Sequence, residues 1–289
     1  MANKKLKAPV NIPVEKIHPF EGNPYKVLDN DEMNNLICSI QEQGILTPII
    51  IRPIENTDEY EVISGHRRLH ATVKAGIKEV PAFIYAVTRD EAAIMLVDSN
   101  LHREHILPSE RAFAYKLKME AMSRQGYRSD LTSCQVGTKL RTDEIIAENS
   151  TDSARQIQRY IRLTYLIPEL LELVDEEKIA LTPAVELSYL SDEEQYSLLG
   201  TIEEEDRTPS LSQAVRFKKL SQAGELSDES IETIMQEDKA NQKPMFKVSM
   251  ERLQKVAPKV KDKDFEDFVL KACEHYYRYL QRQRNRDAR

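Results

Sequence analysis

The spacing of hydrophobic residues divides the chain into two parts. In the first part, short apolar runs at 45–54, 60–63 and 79–87 predict strands, and helical spacing predicts helices at 29–44 and 66–76. In the second part, apolar residues recur at helical spacing almost to the end of the chain. The pattern therefore predicts an N-terminal α+β unit followed by an all-α remainder.

Capping residues and prolines mark the ends of the predicted helices. Asp29–Asp31 can cap the first helix, and Gly44 can end it. Further helices are predicted at 89–100 and within 101–126, where Pro108 suits a first turn. These signals place two helices directly after the α+β unit.

Three polar stretches are predicted to connect elements. Residues 127–141 are polar and contain glycine, which favours a flexible insertion. Residues 201–210 and 236–244 are predicted to be surface linkers, and their acidic runs are typical of solvated faces.

The charge of the chain is unevenly distributed. The net charge is −7, yet residues 101–170 contain 11 Lys and Arg against 9 Asp and Glu, whereas residues 171–246 contain 7 against 18. Because an exposed charge acts over a Debye length of about 8 Å at physiological salt, the local sign decides which partner a surface attracts. The basic excess in 101–170 is therefore compatible with a nucleic acid.

Cysteine usage and hydropathy predict a cytoplasmic protein without a membrane contact. Cys38, Cys134 and Cys273 are far apart and have no metal-binding spacing, which favours reduced thiols. No apolar run approaches the ~20 residues needed to cross a bilayer. The N-terminus carries lysines but no apolar signal region.

The stretch YEVISGHRRLHATVKAG, residues 60–76, predicts a phosphate-binding turn. After the strand, Gly65 opens a helix whose unpaired N–H groups and dipole favour an anion, and its missing Cβ lets a phosphate approach. Arg67 and Arg68 occupy the first turn, where the dipole disfavours cations, so a functional need for positive charge is indicated. The alternative is that both arginines pair with surface carboxylates.

A second cluster, VDSNLHREHILPSERA at 97–112, supplies Asn100 and Arg103 before a proline-started helix. Asn offers a carbonyl oxygen to hydrated Mg²⁺, and Arg offers a planar fork to phosphate. In this order, Gly65–Arg68 and Ser99–Arg103 resemble the G-E-R-R and E-N-L-Q-R motifs of the ParB partition-protein family. Residues 43–53 resemble that family's G-L-x-Q-P-I-x-V-R stretch, and the resemblance extends over about residues 12–190.

The resemblance implies a nucleotide site on a fold shared with sulfiredoxin. ParB proteins bind CTP with Mg²⁺, and nucleotide and DNA together close a dimeric clamp that slow hydrolysis reopens. The resemblance implies that Arg67 and Arg68 hold phosphates, that Asn100 helps to hold the metal and that Arg103 supports the site. The implied nucleotide-binding set is Thr47, Gly65, His66, Arg67, Arg68, Asn100 and Arg103.

The chain departs from the family's motifs at three positions. His66 and Ser99 stand where the family has Glu, and Thr47 stands where it has Gln. The loss of two carboxylates removes partners for Mg²⁺ or for an attacking water. The sequence therefore supports nucleotide binding more strongly than slow CTP hydrolysis. No catalytic residue is assigned. An alternative is a transition-metal site built by His66, His70, His102 and His105.

Two enzyme classes on related scaffolds are poorly supported. A sulfiredoxin needs a reactive cysteine beside the turn, but Ser64 and His66 flank Gly65, and Cys38 lies in a predicted core helix. A nuclease or phosphotransferase needs a carboxylate cluster, which the sequence does not show.

Residues 142–166, TDEIIAENSTDSARQIQRYIRLTYL, predict a helix-turn-helix, which ParB proteins also have at this position. Thr142 can cap the first helix, and Thr151 or Asp152 can cap the second. The second helix has an apolar stripe beside arginines and glutamines, as a groove-reading helix requires, although a solvated basic face is the alternative. The predicted base contacts are Ser153, Arg155 and Gln156, the predicted phosphate contacts are Arg159 and Arg162, and Gln158 completes the predicted DNA-binding set.

The sequence therefore predicts a DNA-binding partition protein of plasmid or mobile-element type, associated with the nucleoid or a plasmid. Its predicted partners are double-stranded DNA with a palindromic site, a second copy of the chain and a ParA-type ATPase. The competing interpretation is a transcriptional regulator with a vestigial nucleotide pocket.

The sequence also predicts four domains. They are a nucleotide-binding domain at 1–105, a helix-turn-helix domain at 106–200, an acidic helical linker at 201–245 and a C-terminal helical segment at 246–289. In the C-terminal segment, helical spacing is shown by Phe265, Phe268, Val269, Ala272, Tyr276 and Leu280.

Overall fold

The N-terminal part of the protein is a five-stranded mixed sheet. The structure, a computed structural model, describes residues 8–101, 103, 105–125, 141–237, 255, 257, 260 and 265–287. The strands are β1 Val10–Pro13, β2 Ile17–His18, β3 Ile49–Pro53, β4 Tyr60–Ser64 and β5 Glu79–Ile84, with a short 3-10 helix at Val14–Lys16. Their order is β1-β5-β3-β4-β2; β1 pairs antiparallel with β5, and β3 pairs parallel with β5 and antiparallel with β4.

Two helices, α1 Asp31–Gln43 and α2 His66–Lys74, pack against each other beside the sheet. The Asn30 side chain caps α1 by accepting from the Met33 N–H, and α1 ends at Gly44, so both predicted end signals are confirmed. Buried Met33 and Ala71 belong to the small core between α1 and α2. Because α2 follows β4 directly, its first turn lies at the end of that strand.

A buried ion pair fixes the segment that precedes α1 against the sheet. Arg52 and Glu61 face each other across β3 and β4, and the Arg52 Nε donates to Glu61 Oε2 at 2.7 Å. The other oxygen of Glu61 accepts from the Glu21 N–H at 3.0 Å. Residues around Phe20 are thereby held next to the first turn of α2.

The next four helices build a second core. They are α3 Arg89–Asn100, α4 Pro108–Arg124, α5 Thr142–Glu148 and α6 Ala154–Leu163. Pro108 is at the first position of α4, as predicted, although residues 105–107 before it are not helical. Leu96, Tyr115, Ile146 and Ile157, one from each helix, are all buried in this core.

The remaining helices of the larger unit share a third core. They are α7 Pro168–Asp175, α8 Leu181–Leu187, α9 Asp192–Glu205, α10 Leu211–Ala223 and α11 Asp228–Gln236. Residues 201–205 are helical, so the predicted linker at 201–210 is wrong for its first half: Ile202 faces the core and extends α9. The predicted linker at 236–244 begins within α11, and its residues after 237 lie outside the described residues, as does the predicted insertion at 127–140.

The chain divides into two compact units, residues 1–237 and residues 238–289. The second unit contains α12, Phe265–Asp287, which confirms the predicted C-terminal helix. The α+β N-terminal unit and the helical remainder are likewise confirmed, while the division into four domains stays a prediction. In the part of the chain that the structure describes, no helix is both long and apolar enough to cross a membrane.

Candidate functional site

The Gly65–Arg68 turn and the end of α3 line one cleft of about 570 Å³. The two motifs are more than thirty residues apart in sequence, so only the fold brings them together. The lining residues are Glu32, Asn35, Leu36, Ser64, Gly65, His66, Arg67, Arg68, Ser99, Asn100 and Arg103. Six of the seven predicted nucleotide-binding residues are in this set, and Thr47 is not.

Glycine is required at position 65 by the backbone conformation there and by the side chains packed around it. Its φ of 105° lies in the left-handed region that favours glycine. A Cβ at this position would come within 2.8 Å of the Ile49 Cγ2. A Cβ would also come within 3.1 Å of the Arg68 NH2, and the expectation that its absence lets a phosphate approach stays a prediction.

Arg67 and Arg68 have different partners. The Arg67 NH2 donates to Glu32 Oε2 at 3.0 Å, and both side chains are largely exposed. Arg68 donates through NH1 to the carbonyl oxygens of Thr47 and of Pro48, the latter at 2.9 Å, and burial lowers its pKa without discharging it. Arg67 can therefore turn to a ligand, whereas Arg68 holds the loop before β3. Thr47 contributes its carbonyl oxygen to that support.

His66 is a neutral, largely enclosed side chain. Burial, followed by the nearby positive charge of Arg103, lowers the pKa of His66 to about 4, against the opposing effect of Glu61. Its Nε2 accepts from the Phe20 N–H at 3.4 Å, which suits an unprotonated ring nitrogen. At neutral pH His66 therefore places no charge in the cleft where the family has a carboxylate.

The described residues do not assemble the alternative histidine metal site. His70 contacts Asp29 at 2.9 Å, whereas His66 contacts the Phe20 backbone, so the two side chains have separate partners. His102 lies outside the described residues. Within the described residues, no group of three or more His, Cys, Asp or Glu side chains is arranged to hold a metal.

The end of α3 contributes an amide and a guanidinium. The buried Asn100 side chain donates through Nδ2 to the Leu96 carbonyl at 2.7 Å and to Ser99 Oγ at 3.2 Å. No described residue donates to its Oδ1, so this oxygen can accept from or coordinate a ligand. The Arg103 guanidinium lies 5.6 Å from the centre of the Tyr25 ring, which stabilises its position by a cation–π contact.

One face of helix α1 also lines the cleft, which the sequence did not predict. Glu32, Asn35 and Leu36 line it because α1 packs on α2. The apolar spacing of α1 predicts a helix but does not indicate which neighbour it contacts. Cys38 lies on this helix, which buries Met33 and Ile40, and its thiol is exposed.

Helices α5 and α6 are joined by a short turn that is anchored to α4. Ser153 caps α6, with its Oγ accepting from the Gln156 N–H at 3.3 Å, so the predicted caps Thr151 and Asp152 are wrong. Asp152 instead accepts from the Tyr115 hydroxyl at 2.6 Å, which uses its carboxylate to hold the turn. Thr142 is the first residue of α5 rather than its cap, because Arg141 occupies the cap position.

The polar face of α6 is partly engaged within the protein. Gln158 donates to Asp143 at 2.9 Å on α5, Arg159 donates to Thr182 Oγ1 at 2.6 Å on α8, and Arg162 donates to the Ser188 carbonyl at 2.6 Å just after α8. Arg155 is exposed and makes no hydrogen bond or ion pair with any described residue. Of the six predicted DNA contacts, Ser153 and Arg155 are exposed and the other four are half-buried.

The family of the chain is decided by comparison with known proteins. The profile of the ParB N-terminal domain matches residues 2–101. The chromosome-partitioning protein Spo0J of Thermus thermophilus is 30% identical over 72% of this chain and 70% of its own length. The chain belongs to the ParB partition-protein family. This confirms the resemblance seen in the sequence.

A further relative and two solved ParB structures are also similar to this chain. The nucleoid occlusion protein of Listeria innocua is 30% identical over 68% of this chain, but the match covers 63% of the Listeria protein, less than two thirds of its length. A C-terminally truncated ParB of Caulobacter crescentus has been solved with its centromeric parS site, at 21% identity and a TM-score of 0.42, over 78% of this chain and 98% of that one. The same protein solved with CTP-gamma-S gives 24% identity and a TM-score of 0.32, over 68% of this chain and 99% of that one.

Proposed function

We propose that this protein is a DNA-binding partition protein whose attachment to DNA is controlled by a nucleoside triphosphate, CTP, bound in the cleft. The observation that carries the proposal is the meeting of the Gly65–Arg68 turn and the Ser99–Arg103 segment in one cleft. Family membership supports cytosine as the base, since a ParB protein has been solved with CTP-gamma-S.

The phosphates fit the first turn of α2. The backbone N–H groups of residues 66–68 precede the first helical hydrogen bond, which Leu69 donates to the Gly65 carbonyl, so they are available to an anion. Arg67 adds an exposed guanidinium whose present partner, Glu32, is a surface carboxylate. A surface ion pair of this kind is worth only about 0–1 kcal/mol, so a triphosphate can displace it.

The metal-binding capacity of the cleft is limited. Mg²⁺ is usually held by one or two carboxylates together with substrate phosphates. Here Asn100 Oδ1 and the Glu32 carboxylate are the oxygen donors that fit it. A bound Mg²⁺ would neutralise phosphate charge, while neutral His66 supplies no negative charge to a metal or an attacking water. We therefore propose that the function of the cleft is to bind the nucleotide, and we assign no residue to its hydrolysis.

The DNA contact is proposed to be α6. Its N-terminal end presents Arg155 and Gln156, while buried Ile157 anchors the helix. The first residues of a recognition helix contact base edges in the major groove. We propose that Ser153, Arg155 and Gln156 read bases, and that Arg159 and Arg162 contact phosphates with one end while their other nitrogen atoms hold α8.

Nucleotide binding tests the cleft directly. Titration of the full chain with CTP, ATP and GTP, with and without Mg²⁺, is expected to show binding that prefers CTP. Arg67→Ala is expected to weaken it by about 10- to 100-fold, because a hydrogen bond to a charged group contributes about 1.5–3 kcal/mol. Arg124→Ala, which removes an exposed arginine that pairs with Asp90 on α3, is the matched control and should bind as the parent does. Equal binding by both variants would contradict the assignment of Arg67.

The rival proposal is a DNA-binding regulator with a vestigial pocket. Neutral His66 and Ser99 at the positions of two family carboxylates favour it. Binding to cognate DNA that is identical with and without every triphosphate would support the regulator and exclude nucleotide control.

We further propose that α12 pairs with a second copy of the chain to make a dimer, with a ParA-type ATPase as the cellular partner. Helix α12 exposes Phe268, Tyr276 and Leu280 along its length. Sedimentation of the full chain should give a dimer, and removal of the residues after 246 should give a monomer. An identical monomer in both cases would contradict this role for α12.

A further inference from the structure

A patch of two exposed tyrosines and three half-buried cations lies where α6 ends. The Arg162 guanidinium lies 4.5 Å from the centre of the Tyr165 ring and 4.0 Å from that of the Tyr189 ring. The Lys218 Nζ is 3.7 Å from the Tyr189 ring centre, and the Lys116 Nζ is 5.7 Å from the Tyr165 ring centre. We call these five side chains the tyrosine–cation patch. They come from α4, α6, α10 and two helix–helix turns.

The two turns that carry the tyrosines are held together by a buried glutamine. The fully buried Gln195 donates through Nε2 to the carbonyl oxygens of Tyr165 at 3.0 Å and Leu190 at 3.1 Å. Its Oε1 accepts from the Ile167 N–H at 2.8 Å. All the hydrogen-bonding groups of one side chain thus fix the backbone of both turns. The tyrosine rings are not needed for this, and they remain exposed, at 54% for Tyr165 and 41% for Tyr189.

The charge of the patch is incompletely balanced. Lys218 pairs with Glu186 at 2.8 Å. Arg162 bonds to the Ser188 hydroxyl and carbonyl, which are uncharged, and Lys116 has no ion pair with any described residue. Two positive charges therefore lie uncompensated on a chain whose net charge is −7. A negatively charged partner is the one that this surface complements.

The position of the patch relative to α6 indicates which polyanion it meets. Arg155 and Arg162 are seven residues apart, which is two helical turns, so they lie on the same face about 10 Å apart along the axis. If the N-terminal end of α6 contacts bases in a major groove, its C-terminal end lies at the flanking backbone. We propose that the tyrosine–cation patch, which shares Arg162 with the contact on α6, extends that contact and binds duplex phosphates without reading sequence. This inference rests on the proposed role of α6 in DNA binding.

The salt dependence of binding to a mixed-sequence duplex tests the patch, since a phosphate contact does not depend on sequence. Each neutralised phosphate contributes about 0.9 to the slope of log K against log salt concentration. Lys116→Gln is expected to lower the magnitude of that slope by about 0.9 and to reduce affinity several-fold at low salt. Tyr165→Ala, which keeps the backbone carbonyl that Gln195 uses, should also weaken binding because it frees Lys116 and Arg162 from the ring.

Lys219→Gln is the matched control. Lys219 is an exposed lysine beside Lys218 on α10, and its removal changes the net charge of the chain by the same amount. A loss of slope in Lys116→Gln that exceeds the loss in Lys219→Gln supports the patch. Equal slopes in these two variants, with the parent protein binding the duplex, would overturn it.

Two further outcomes separate this inference from the proposed function. If the parent chain binds no duplex at any salt concentration, the DNA-binding function itself fails, and the patch fails with it. If Lys116→Gln keeps the parental slope for DNA but loses binding to polyglutamate that the parent shows, the patch belongs to an acidic protein partner, and the assignment to DNA is overturned.

Discussion

The cleft and helix α6 differ in how far neighbours in sequence determine their geometry. In the cleft, Gly65, His66 and the two arginines are consecutive, and the left-handed glycine fixes where their helix begins. In α6, the local cap Ser153 sets the start of the helix, but α5 and α8 decide which polar side chains remain accessible. A contiguous motif therefore locates a site, whereas a periodic polar face indicates only which residues avoid the core.

The largest expected effect concerns Gly65. Gly65→Ala should lower the free energy of unfolding by about 3 kcal/mol, because it adds backbone strain of about 1–3 kcal/mol and a clash with Ile49. Gly200→Ala in α9 is the control, since Gly200 has ordinary helical geometry and open space around it, and it should stabilise by about 0.5–1 kcal/mol. Urea denaturation measures the free energy of unfolding of both variants. Similar effects at the two glycines would show that the turn does not depend on its glycine.

The second prediction addresses the anchoring of α6. Tyr115→Phe should cost about 2 kcal/mol, since it removes the buried hydroxyl that donates to Asp152 in the turn before α6. Tyr196→Phe, at an exposed tyrosine on α9, should change stability by less than about 0.5 kcal/mol. Thermal unfolding of both variants checks this. Identical stabilities would mean that the turn is held by its local cap alone.

The third prediction uses the pH dependence of His66. Its folded pKa of about 4 lies below the ordinary value of 6.5, so the unfolded chain binds the proton more tightly. The stability contributed by neutral His66 is fully present above pH 6.5 and is lost as the pH falls from 6.5 towards 4, by a few kcal/mol at most. His66→Gln should lose less stability over this window, whereas His105→Gln, at an exposed position, should behave as the parent does. Denaturation curves at several pH values measure the difference.

The smallest expected effect concerns Glu32. Without Mg²⁺, Glu32→Gln should raise CTP affinity by several-fold, because it releases Arg67 from a surface ion pair of about 0–1 kcal/mol and removes a negative charge from the cleft. Glu42→Gln, at the other end of α1, is the control for charge and should have no effect. Calorimetric titration with CTP compares the affinities of the two variants. A decrease in affinity without Mg²⁺ would show that Glu32 assists the nucleotide rather than competing with it.

Local signals in the sequence predicted much of the fold and the main elements of the cleft. The alternating run at 60–63, the glycine and the helical spacing after it are short-range features, and β4, Gly65 and α2 follow them closely. The contribution of Glu32 could not be predicted, because it depends on the packing of α1 on α2. For the same reason the engagement of Arg159 and Arg162 by α8 was not foreseen, since Thr182 and Ser188 are more than twenty residues away in sequence.

Helix α4 belongs to two cores at once, and this limits how the protein can be dissected. Its Ala112 is buried with the helices α7–α11, and its Tyr115 and Ala121 are buried with α3. A fragment that stops before Pro108 would leave the apolar side of α3 bare, with Leu96 and Val97 open to water, and would be prone to aggregate. Excision of the part that carries the cleft for separate study should therefore retain all of α4, and the smallest piece expected to melt in a single transition extends to Glu237.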